Sequence, residues 1–231
     1  MLENRYDDIL RIGNREILKL VPSNVVLREE LAREVQQVIR RPLCTVLLEL
    51  GSGEGDLTRF ILDYSLGKCF DAVDISPEMI ACAKEYLGKD AYKVRFICED
   101  ALEYLMEISA ETLELITFAF FIHNFKKDEQ KKMFEQIYRI LKYNGTMIIM
   151  EKIYPDDPWQ CHYLFNIQMR RYSTYLEKEL ADTIIEHETQ DVSSSHLMME
   201  SETISLLKEV GFRHVEIKDR VESVVLLTAC K

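Results

Sequence analysis

Five apolar segments of the chain predict β-strands. Several of them are nearly continuous in Val, Ile, Leu and Phe rather than alternating, which is typical of parallel strands buried on both faces of a sheet. The segments cover residues 45–50, 69–74, 93–98, 113–121 and 146–153. Stretches with the apolar spacing of helices separate these strands. This alternation of strands and helices predicts an α/β fold with a doubly wound sheet and right-handed crossovers.

The predicted helices have recognisable beginnings and ends. Ser76 followed by Pro77 is a typical helix start, because Ser caps free N–H groups and Pro suits the first helical position. Asn144-Gly145 predicts the end of a helix, and Gly211 predicts another. Between the strands, the helices cover 56–64, 77–87, 101–108 and 128–143. A last helix over 202–210 precedes two further strands over 212–218 and 223–229.

Two segments fall outside this alternation. Residues 1–42 have the pattern of two helices, the second over 27–41 and ended by Pro42. Residues 154–200 form a long excursion after the fifth strand, rich in aromatic residues (Trp159, Tyr163, Phe165, Tyr172 and Tyr175). The sequence has no internal repeat and no linker-like stretch. We therefore expect residues 1–231 to form a single domain, with 1–42 and 154–200 as a helical cap over its active site.

Charge and composition narrow the classes of partner. The chain has 231 residues and a net charge of -11, whereas proteins that hold a phosphate backbone usually present a basic face. The longest apolar run, 115–122, is far shorter than the roughly 20 residues that span a bilayer, and residues 1–10 lack a signal-peptide pattern. We expect a cytoplasmic protein that binds neither bulk nucleic acid nor membranes.

The cysteines give no sign of a metal or redox site. None of the six belongs to a C-x-x-C pair, so neither a zinc knuckle nor a redox motif is present. We interpret them as small buried hydrophobic residues in a reducing compartment, with a reactive thiol as the alternative and Cys161, in a polar loop beside His162, as its best candidate. No metal site is expected.

The strongest chemical motif follows the first strand. The strand runs into Gly51-x-Gly53-x-Gly55, where glycines allow a tight turn and a close approach of ligand to backbone. The spacing departs from the dinucleotide motif G-x-G-x-x-G. Glu49 just before the turn would repel a pyrophosphate but suits a cation or an ammonium group.

Two more acids end the next strands. Asp74 follows the second strand, where an acid can accept hydrogen bonds from a ribose diol. Asp100 follows the third strand and could accept from an exocyclic amine. Ligands of doubly wound sheets bind at the carboxyl edge of the strands, so Glu49, Asp74 and Asp100 are expected to share one site there. The structural alternative is that these acids only cap nearby helices.

Five motifs in this order resemble those of class I S-adenosylmethionine-dependent methyltransferases. They are residues 49–55 (ELGSGEG), 73–79 (VDISPEM), 99–101 (EDA), 120–125 (FFIHNF) and 141–145 (LKYNG). The resemblance implies a Rossmann-like, seven-stranded sheet of order 3-2-1-4-5-7-6 with an antiparallel last strand. It also implies a methyl transfer from S-adenosylmethionine (SAM) to a small-molecule acceptor, leaving S-adenosylhomocysteine (SAH).

The same resemblance assigns roles to residues. Glu49 and the Gly51–Gly55 turn would hold the methionine moiety, Asp74 the ribose hydroxyls and Asp100 the adenine amine. Met79 and Ala101 would pack on or near the adenine. The other expected cofactor contacts are Ser52, Ile75 and Ala119.

Candidates for the acceptor side are fewer. His123, just past the fourth strand, either positions or deprotonates the acceptor, or it only hydrogen-bonds backbone and shapes the pocket. Tyr6, Arg171 and Tyr175 lie in the two cap segments and are the remaining catalytic candidates, although a solvated helix face is the alternative for Arg171. Acceptor specificity is expected in residues 1–25 and 154–200. A homodimer contact through the cap aromatics stays open.

A weaker resemblance suggests alternatives. Residues 6–10, 151–152, 164–166 and 207–212 are similar to the carboxy-S-adenosylmethionine synthases, which act in tRNA wobble-uridine modification. Those enzymes place an arginine where this chain has Leu206, and a buried carboxylate without its cation is costly. Unless Arg170 or Arg171 substitutes for it, ordinary methyl transfer is favoured. A non-catalytic SAM-binding protein is the third hypothesis.

Overall fold

The computed structural model describes residues 20–41, 46–192 and 196–231. Within these residues the strands are β1 (Leu47–Leu50), β2 (Phe70–Asp74), β3 (Val94–Cys98), β4 (Leu113–Ala119), β5 (Leu141–Lys152), β6 (Arg213–Val221) and β7 (Val224–Cys230). The helices, numbered from the first described one, are α1 (Ser23–Ile39), α2 (Asp56–Tyr64), α3 (Pro77–Leu87), α4 (Ala101–Glu107), α5 (Lys127–Ile140), α6 (Pro158–Tyr175), α7 (Lys178–Val192) and α8 (Glu200–Val210).

The seven strands form one sheet of order β3-β2-β1-β4-β5-β7-β6. Strands β1 to β5 pair in parallel, and β7 runs antiparallel to both β5 and β6. The predicted fold class and strand order are therefore confirmed. Because β1 lies in the centre of the parallel part, its carboxyl end meets those of β2 and β4, which places the glycine turn in the middle of one sheet edge.

Helices cover both faces of the sheet, as in doubly wound folds. Side chains of α1, α2 and α3 pack on one face, and those of α4, α5 and α8 pack on the other. Alternate residues of β1 point to opposite faces of the sheet. Leu48 and Leu50 pack in the core under α4, α5 and α8, and Leu47 packs in the core under α1, α2 and α3. Glu49 has the parity of Leu47 and consequently faces the α1–α2 side.

Several boundaries differ from the predicted ones. Helix α5 ends at Ile140 rather than at residue 143, and β5 begins at Leu141 rather than at 146. The reason is tertiary, since Leu141 pairs with Leu113 of β4. Strand β4 ends at Ala119 instead of residue 121, because Phe120 adopts a positive φ of 51° that turns the chain. The start of α3, with Ser76 accepting from the N–H of Met79 at 3.2 Å, is as predicted.

The excursion after β5 consists of the helices α6 and α7, which pack on each other. Its ends meet, because Tyr154 and Met199 form a β-bridge. Met169 and Tyr172 of α6 and Ile184 of α7 form a small apolar core of their own. The chain thus enters and leaves this pair of helices at one place, beside the carboxyl end of β5.

The interpretation of the cysteines as buried residues is wrong for the five that the structure describes. Cys69, Cys82 and Cys98 are exposed, and Cys161 and Cys230 are partly exposed. Cys98 lies on β3, which is an edge strand of the sheet formed by the described residues. Cys44 lies outside the described residues. None of the described helices combines the length and the apolar character that crossing a bilayer requires.

Candidate active site

A cavity of about 210 Å³ opens at the carboxyl ends of the parallel strands. Its β1–β3 side carries the glycine turn, Asp74 and Asp100, and its β4–β5 side carries His123 and Lys152. Helices α1, α6 and α7 contribute Arg28, Tyr172 and Glu188 respectively, among others. The chain thus brings side chains from the sheet edge and from three helices around one space.

The glycine turn needs its glycines for two different reasons. Gly51 has a φ of +63°, and a Cβ there would lie 2.4 Å from Cδ2 of Phe121. Gly53 has a φ of +51°, and a Cβ there would meet nothing within 4 Å. The first glycine permits close packing within the protein, and the second leaves open space beside the cavity for a ligand to approach the backbone.

Glu49 is a buried, half-satisfied carboxyl group. Only 1% of the residue is exposed. Its Oε2 accepts a hydrogen bond of 2.8 Å from Thr58 Oγ1, while its Oε1 is buried without a hydrogen-bond partner among the described residues. Burial raises the pKa of Glu49 to about 8, despite the Thr58 hydrogen bond and the charge of Arg28. The side chain is therefore largely protonated at neutral pH in the ligand-free protein, and a cation bound beside it would favour its ionised form.

The other two acids also take part in local structure. Asp74 accepts the N–H of Gly53 at 2.7 Å and that of Ser76 at 3.0 Å, which fixes its carboxylate against the turn. Burial raises the pKa of Asp74, and these two hydrogen bonds oppose the shift. Asp100 caps α4 through Oδ1, which accepts from the N–H of Leu102 and Glu103. This capping role uses only one carboxylate oxygen of Asp100. Both Asp74 and Asp100 line the cavity.

Arg28 reaches the same region from α1. The residue is 7% exposed and lines the cavity. Its NH1 lies 3.8 Å from Asp56 Oδ2, beyond hydrogen-bonding distance. Its Nε is buried with no hydrogen-bond partner among the residues that the structure describes.

On the β4–β5 side, His123 is held by a buried carboxylate. Its Nδ1 lies 2.5 Å from Oε1 of Glu151, a residue with no exposed surface. Glu151 Oε2 also accepts the backbone N–H of Phe121 and of Ile122, both at 2.8 Å. Burial raises the pKa of Glu151, but the charge and hydrogen bond of His123 and the backbone donors outweigh it and lower the pKa overall.

This arrangement fixes the position of one hydrogen on the histidine. An ionised carboxylate can only accept hydrogen bonds, so Nδ1 of His123 carries a hydrogen and Nε2 is the ring nitrogen left to face other partners. His123 lines the cavity. The ring can therefore take a proton there, and Glu151 would stabilise the resulting imidazolium.

The excursion helices complete the β4–β5 side. Lys152 Nζ at the end of β5 lies 2.7 Å from both carboxylate oxygens of Glu188 on α7. Tyr172 of α6 accepts from Gln168 at 2.7 Å, and burial raises its pKa to about 12. Ile184 and His187 of α7 also line the cavity.

Most of the predicted cofactor residues line this cavity. Those that do are Gly51, Ser52, Gly53, Asp74, Ile75, Met79, Asp100, Ala101 and Ala119. Glu49 lies directly behind the turn. Of the predicted catalytic residues that the structure describes, only His123 lines the cavity. Arg171 instead forms a two-pronged ion pair with Glu222, at 3.0 and 2.7 Å, and Tyr175 is 71% exposed. Tyr6 lies outside the described residues.

Sequence reasoning missed several residues of the site. Glu151 follows the rule that found Glu49 and Asp74, an acid at the end of an apolar strand, and could have been found by it. Arg28 stands between Leu27 and Leu31 on the buried face of α1, where a cation is unusual. Tyr172, His187 and Glu188 carry no comparable signal.

Comparisons with known proteins agree with this geometry. A family model described as a methyltransferase domain matches residues 47–145. The chain is 30% identical over 171 residues to carboxy-S-adenosyl-L-methionine synthase of Helicobacter pylori, covering 69% of this chain and 64% of the relative. It is 24% identical over 196 residues to malonyl-[acyl-carrier protein] O-methyltransferase of Brevibacillus brevis, covering 85% and 64%. The chain thus spans less than two thirds of the length of these curated relatives.

A solved structure shares the fold. Human N-acetylserotonin methyltransferase in complex with SAM matches with a TM-score of 0.59 and 18% identity, covering 87% of this chain and 51% of that one. At this identity the match concerns the fold alone. The matched domain, the relatives and the strand order agree, and residues 47–145 are similar to a methyltransferase domain.

Proposed function

We propose that this protein is a methyltransferase that transfers the methyl group of SAM to a small-molecule acceptor. One observation carries the proposal: the cavity has on one side the glycine turn, with the half-satisfied Glu49 buried just before that turn, and on the other side a carboxylate-held His123. Bound SAM would supply an electrophilic methyl group on a positively charged sulfur. The chain has to hold the donor, align the acceptor and accept a proton where the acceptor carries one.

The residues on the β1–β3 side fit SAM. Glu49 Oε1, buried without a partner among the described residues, can accept from the ammonium group of the methionine moiety. Asp74 retains acceptor capacity beyond its two backbone donors and suits a ribose diol. Asp100 has a second carboxylate oxygen for the adenine amine, and Met79 and Ala101 offer apolar surface. Ser52, Ile75 and Ala119 complete the contact set.

The β4–β5 side fits an acceptor that loses a proton. With Nδ1 donating to Glu151, His123 can accept a hydrogen from an acceptor O–H, N–H or acidic C–H. Removal of that proton makes the acceptor atom a better nucleophile, and the Glu151 carboxylate compensates the charge that His123 gains. The alternative role, shaping the pocket through hydrogen bonds, predicts no loss of a pH-dependent step when His123 is replaced.

Residues 154–200 would act as a cap within a single domain of residues 1–231. The cap supplies Tyr172, Ile184, His187 and Glu188 to the cavity wall. We place acceptor recognition in this group rather than in Arg171 and Tyr175, since neither of these lines the cavity. Closing the site with such helices excludes water from the reacting atoms.

The proposal is tested with the purified full-length chain. SAM and SAH binding are measured by isothermal titration calorimetry, and nucleotide extracted from the purified protein is identified by mass spectrometry. SAH release is then followed with a panel of phenols, carboxylic acids, amines and activated methylene compounds. Binding of both nucleotides and turnover with one acceptor class are expected. Absence of SAM and SAH binding would contradict the proposal, and binding without turnover on any acceptor would favour a non-catalytic binding protein.

A carboxy-S-adenosylmethionine synthase is the second candidate, favoured by the similarity to the Helicobacter pylori relative. The position where the resemblance places an arginine is Leu206, which packs against the apolar core. Arg171 is engaged by Glu222, and Arg170 does not line the cavity. These placements favour methyl transfer. The mass of the bound nucleotide separates the two, because the synthase product carries an additional carboxylate.

A further inference from the structure

Asn124, in the turn after β4, has a side-chain oxygen that receives no hydrogen bond from the described residues. Its Nδ2 donates to the carbonyl oxygens of Phe120 and Phe121, at 3.3 and 2.9 Å. Because a carbonyl oxygen can only accept, these two bonds decide which end of the amide is the nitrogen and which is the oxygen. The residue is 8% exposed and lines the cavity. Its Oδ1 is therefore an oriented acceptor on the cavity wall.

His123, the preceding residue, places a second acceptor beside this one. Its Nδ1 is turned toward the buried Glu151, so the edge of the ring that carries Nε2 is the one left to the cavity. The aromatic side chains of Phe120, Phe121 and Phe125 also line the cavity, and they offer no strong hydrogen-bond donor. The turn after β4 thus presents two acceptor atoms on an apolar wall.

Two acceptors on an apolar wall restrict what can bind there. Once a ligand excludes water, an acceptor atom that meets no donor costs free energy. A carboxylate on the ligand would offer only lone pairs to Asn124 and His123. Lys152 does not offset this mismatch, because both carboxylate oxygens of Glu188 lie 2.7 Å from its Nζ and balance its charge. This wall therefore selects a ligand that brings hydrogen-bond donors.

We propose that the methyl acceptor presents two hydrogen-bond donors at its attacked end, one to Nε2 of His123 and the other to Oδ1 of Asn124. The inference rests on the proposed function. Two kinds of group meet the requirement, namely the two N–H bonds of a neutral primary amine and two neighbouring hydroxyl groups. A single hydroxyl group carries one hydrogen and satisfies only one of the two atoms. Asn124 is then a specificity-determining residue, because its hydrogen bond favours acceptors with two donors over acceptors with one.

Five small ring compounds test this inference. Aniline carries two N–H bonds, catechol two neighbouring hydroxyl groups and phenol one; 2-fluorophenol replaces one hydroxyl of catechol with a group that cannot donate, and benzoate has no donor. Their dissociation constants from the SAH complex are measured by NMR titration, and their kcat/KM with SAM by SAH release, for the wild type, Asn124→Leu and Asn124→Asp. Asn166→Leu is the matched control. The Asn166 amide also donates to a backbone carbonyl, that of His162 at 2.7 Å, but Asn166 does not line the cavity.

The expected result is a preference that depends on Asn124. The wild type should prefer aniline or catechol to phenol by roughly 3- to 10-fold, the usual worth of one hydrogen bond, and should bind benzoate more weakly still. Preference for aniline assigns a primary amine, and preference for catechol over 2-fluorophenol assigns neighbouring hydroxyl groups.

The variants separate recognition from a structural role of the amide. Asn124→Leu should bring the preferred compound within about twofold of phenol. Asn124→Asp keeps acceptor oxygens and should keep part of the preference, although it gives up the N–H donors to Phe120 and Phe121. A purely structural role would instead lower the affinity for all five compounds by the same factor. Asn166→Leu should change nothing.

Wild-type affinity for phenol or benzoate that matches that for aniline and catechol would overturn the inference, and so would an unchanged preference in Asn124→Leu. A SAH complex that binds none of the five compounds would also overturn it. Should Asn124→Leu fail to fold, the wild-type order of affinities and the preference retained by Asn124→Asp decide. Failure of the proposed function looks different, since the wild type would then bind neither SAM nor SAH.

Discussion

The ring of His123 and the carboxylate of Glu151 form one buried unit at the junction of β4 and β5, with 2.5 Å between Nδ1 and Oε1. The same carboxylate anchors the backbone of Phe121 and Ile122. One acid therefore sets both the turn that presents the histidine and the hydrogen position on its ring. A histidine held only by packing would lack this second constraint.

Replacing Glu151 with Gln should lower turnover by roughly 100-fold, within the range of positioned proton transfer, and change SAM affinity little. The amide keeps the size of the side chain but cannot stabilise a positively charged ring. Steady-state kinetics and calorimetry measure the two quantities, and ¹⁵N NMR reports which nitrogen of His123 carries the hydrogen. His123→Ala should cost as much, and the double variant should be no worse than either. Unchanged turnover in Glu151→Gln would refute the role of the pair.

The buried Glu49 predicts a pH-dependent stability of the ligand-free protein. Its pKa is about 8 in the folded chain against an ordinary value of 4.5, so the folded state holds a proton that the unfolded state releases between these values. The free energy of unfolding should therefore fall by up to roughly 5 kcal/mol as pH rises from about 4.5 to 8, and it should level off above pH 8. Urea unfolding across this range measures it. Glu49→Gln should remove this contribution.

The same proton is coupled to ligand binding. A bound ammonium group favours ionised Glu49, so SAM binding below pH 8 should release a proton and tighten as pH rises toward 8. Calorimetry in two buffers of different ionisation enthalpy measures the release. Equal apparent enthalpies in both buffers, or proton release that persists in Glu49→Gln, would show that another group is responsible.

Gly51 and Gly53 should respond differently to alanine. At Gly51 the new Cβ meets Phe121, whose backbone N–H is held by Glu151, so Gly51→Ala should lose roughly 1–3 kcal/mol of stability as an overpacked site, in addition to the backbone strain that its positive φ shares with Gly53. At Gly53 the Cβ enters open space, so Gly53→Ala should cost only about 1–2 kcal/mol of backbone strain and should act mainly on SAM affinity. Urea unfolding and calorimetry separate the effects. The reverse order of stabilities would contradict this account of the turn.

The sequence was informative where local patterns decide the structure. Continuous apolar runs indicate buried parallel strands, and an acid that ends such a run must lie at the carboxyl edge of the sheet, which is why Glu49, Asp74 and Asp100 could be predicted together. The end of α5 could not, because the pairing of Leu141 with Leu113 is a long-range contact.

The cap helices show the limit of pattern reasoning. The sequence favours Arg171 and Tyr175 as polar and aromatic residues of the excursion, yet Tyr172 is the α6 residue that lines the cavity. Successive residues of a helix point about 100° apart, so the identity of the inward residue depends on how α6 is rotated against the sheet. Arg171 points instead to Glu222, and its pairing draws α6 toward the turn between β6 and β7.

The buried ion pair between Lys152 and Glu188 should hold α7 over the cavity. Glu188→Gln removes one partner of a pair whose side chains are 12% and 8% exposed, and breaking such a pair costs about 3–5 kcal/mol. Because Glu188 lies on α7, the loss should appear as faster hydrogen exchange in α7 and as a higher acceptor KM, with little change in SAM affinity. Glu202→Gln is the matched control, since its pair with Lys127 is exposed at 58% and 50% and should be worth less than about 1 kcal/mol. A double variant that exchanges the two charges, Lys152→Glu with Glu188→Lys, should recover part of the protection of α7 from hydrogen exchange. If Glu188→Gln left α7 exchange and acceptor KM unchanged, the ion pair would not position the cap.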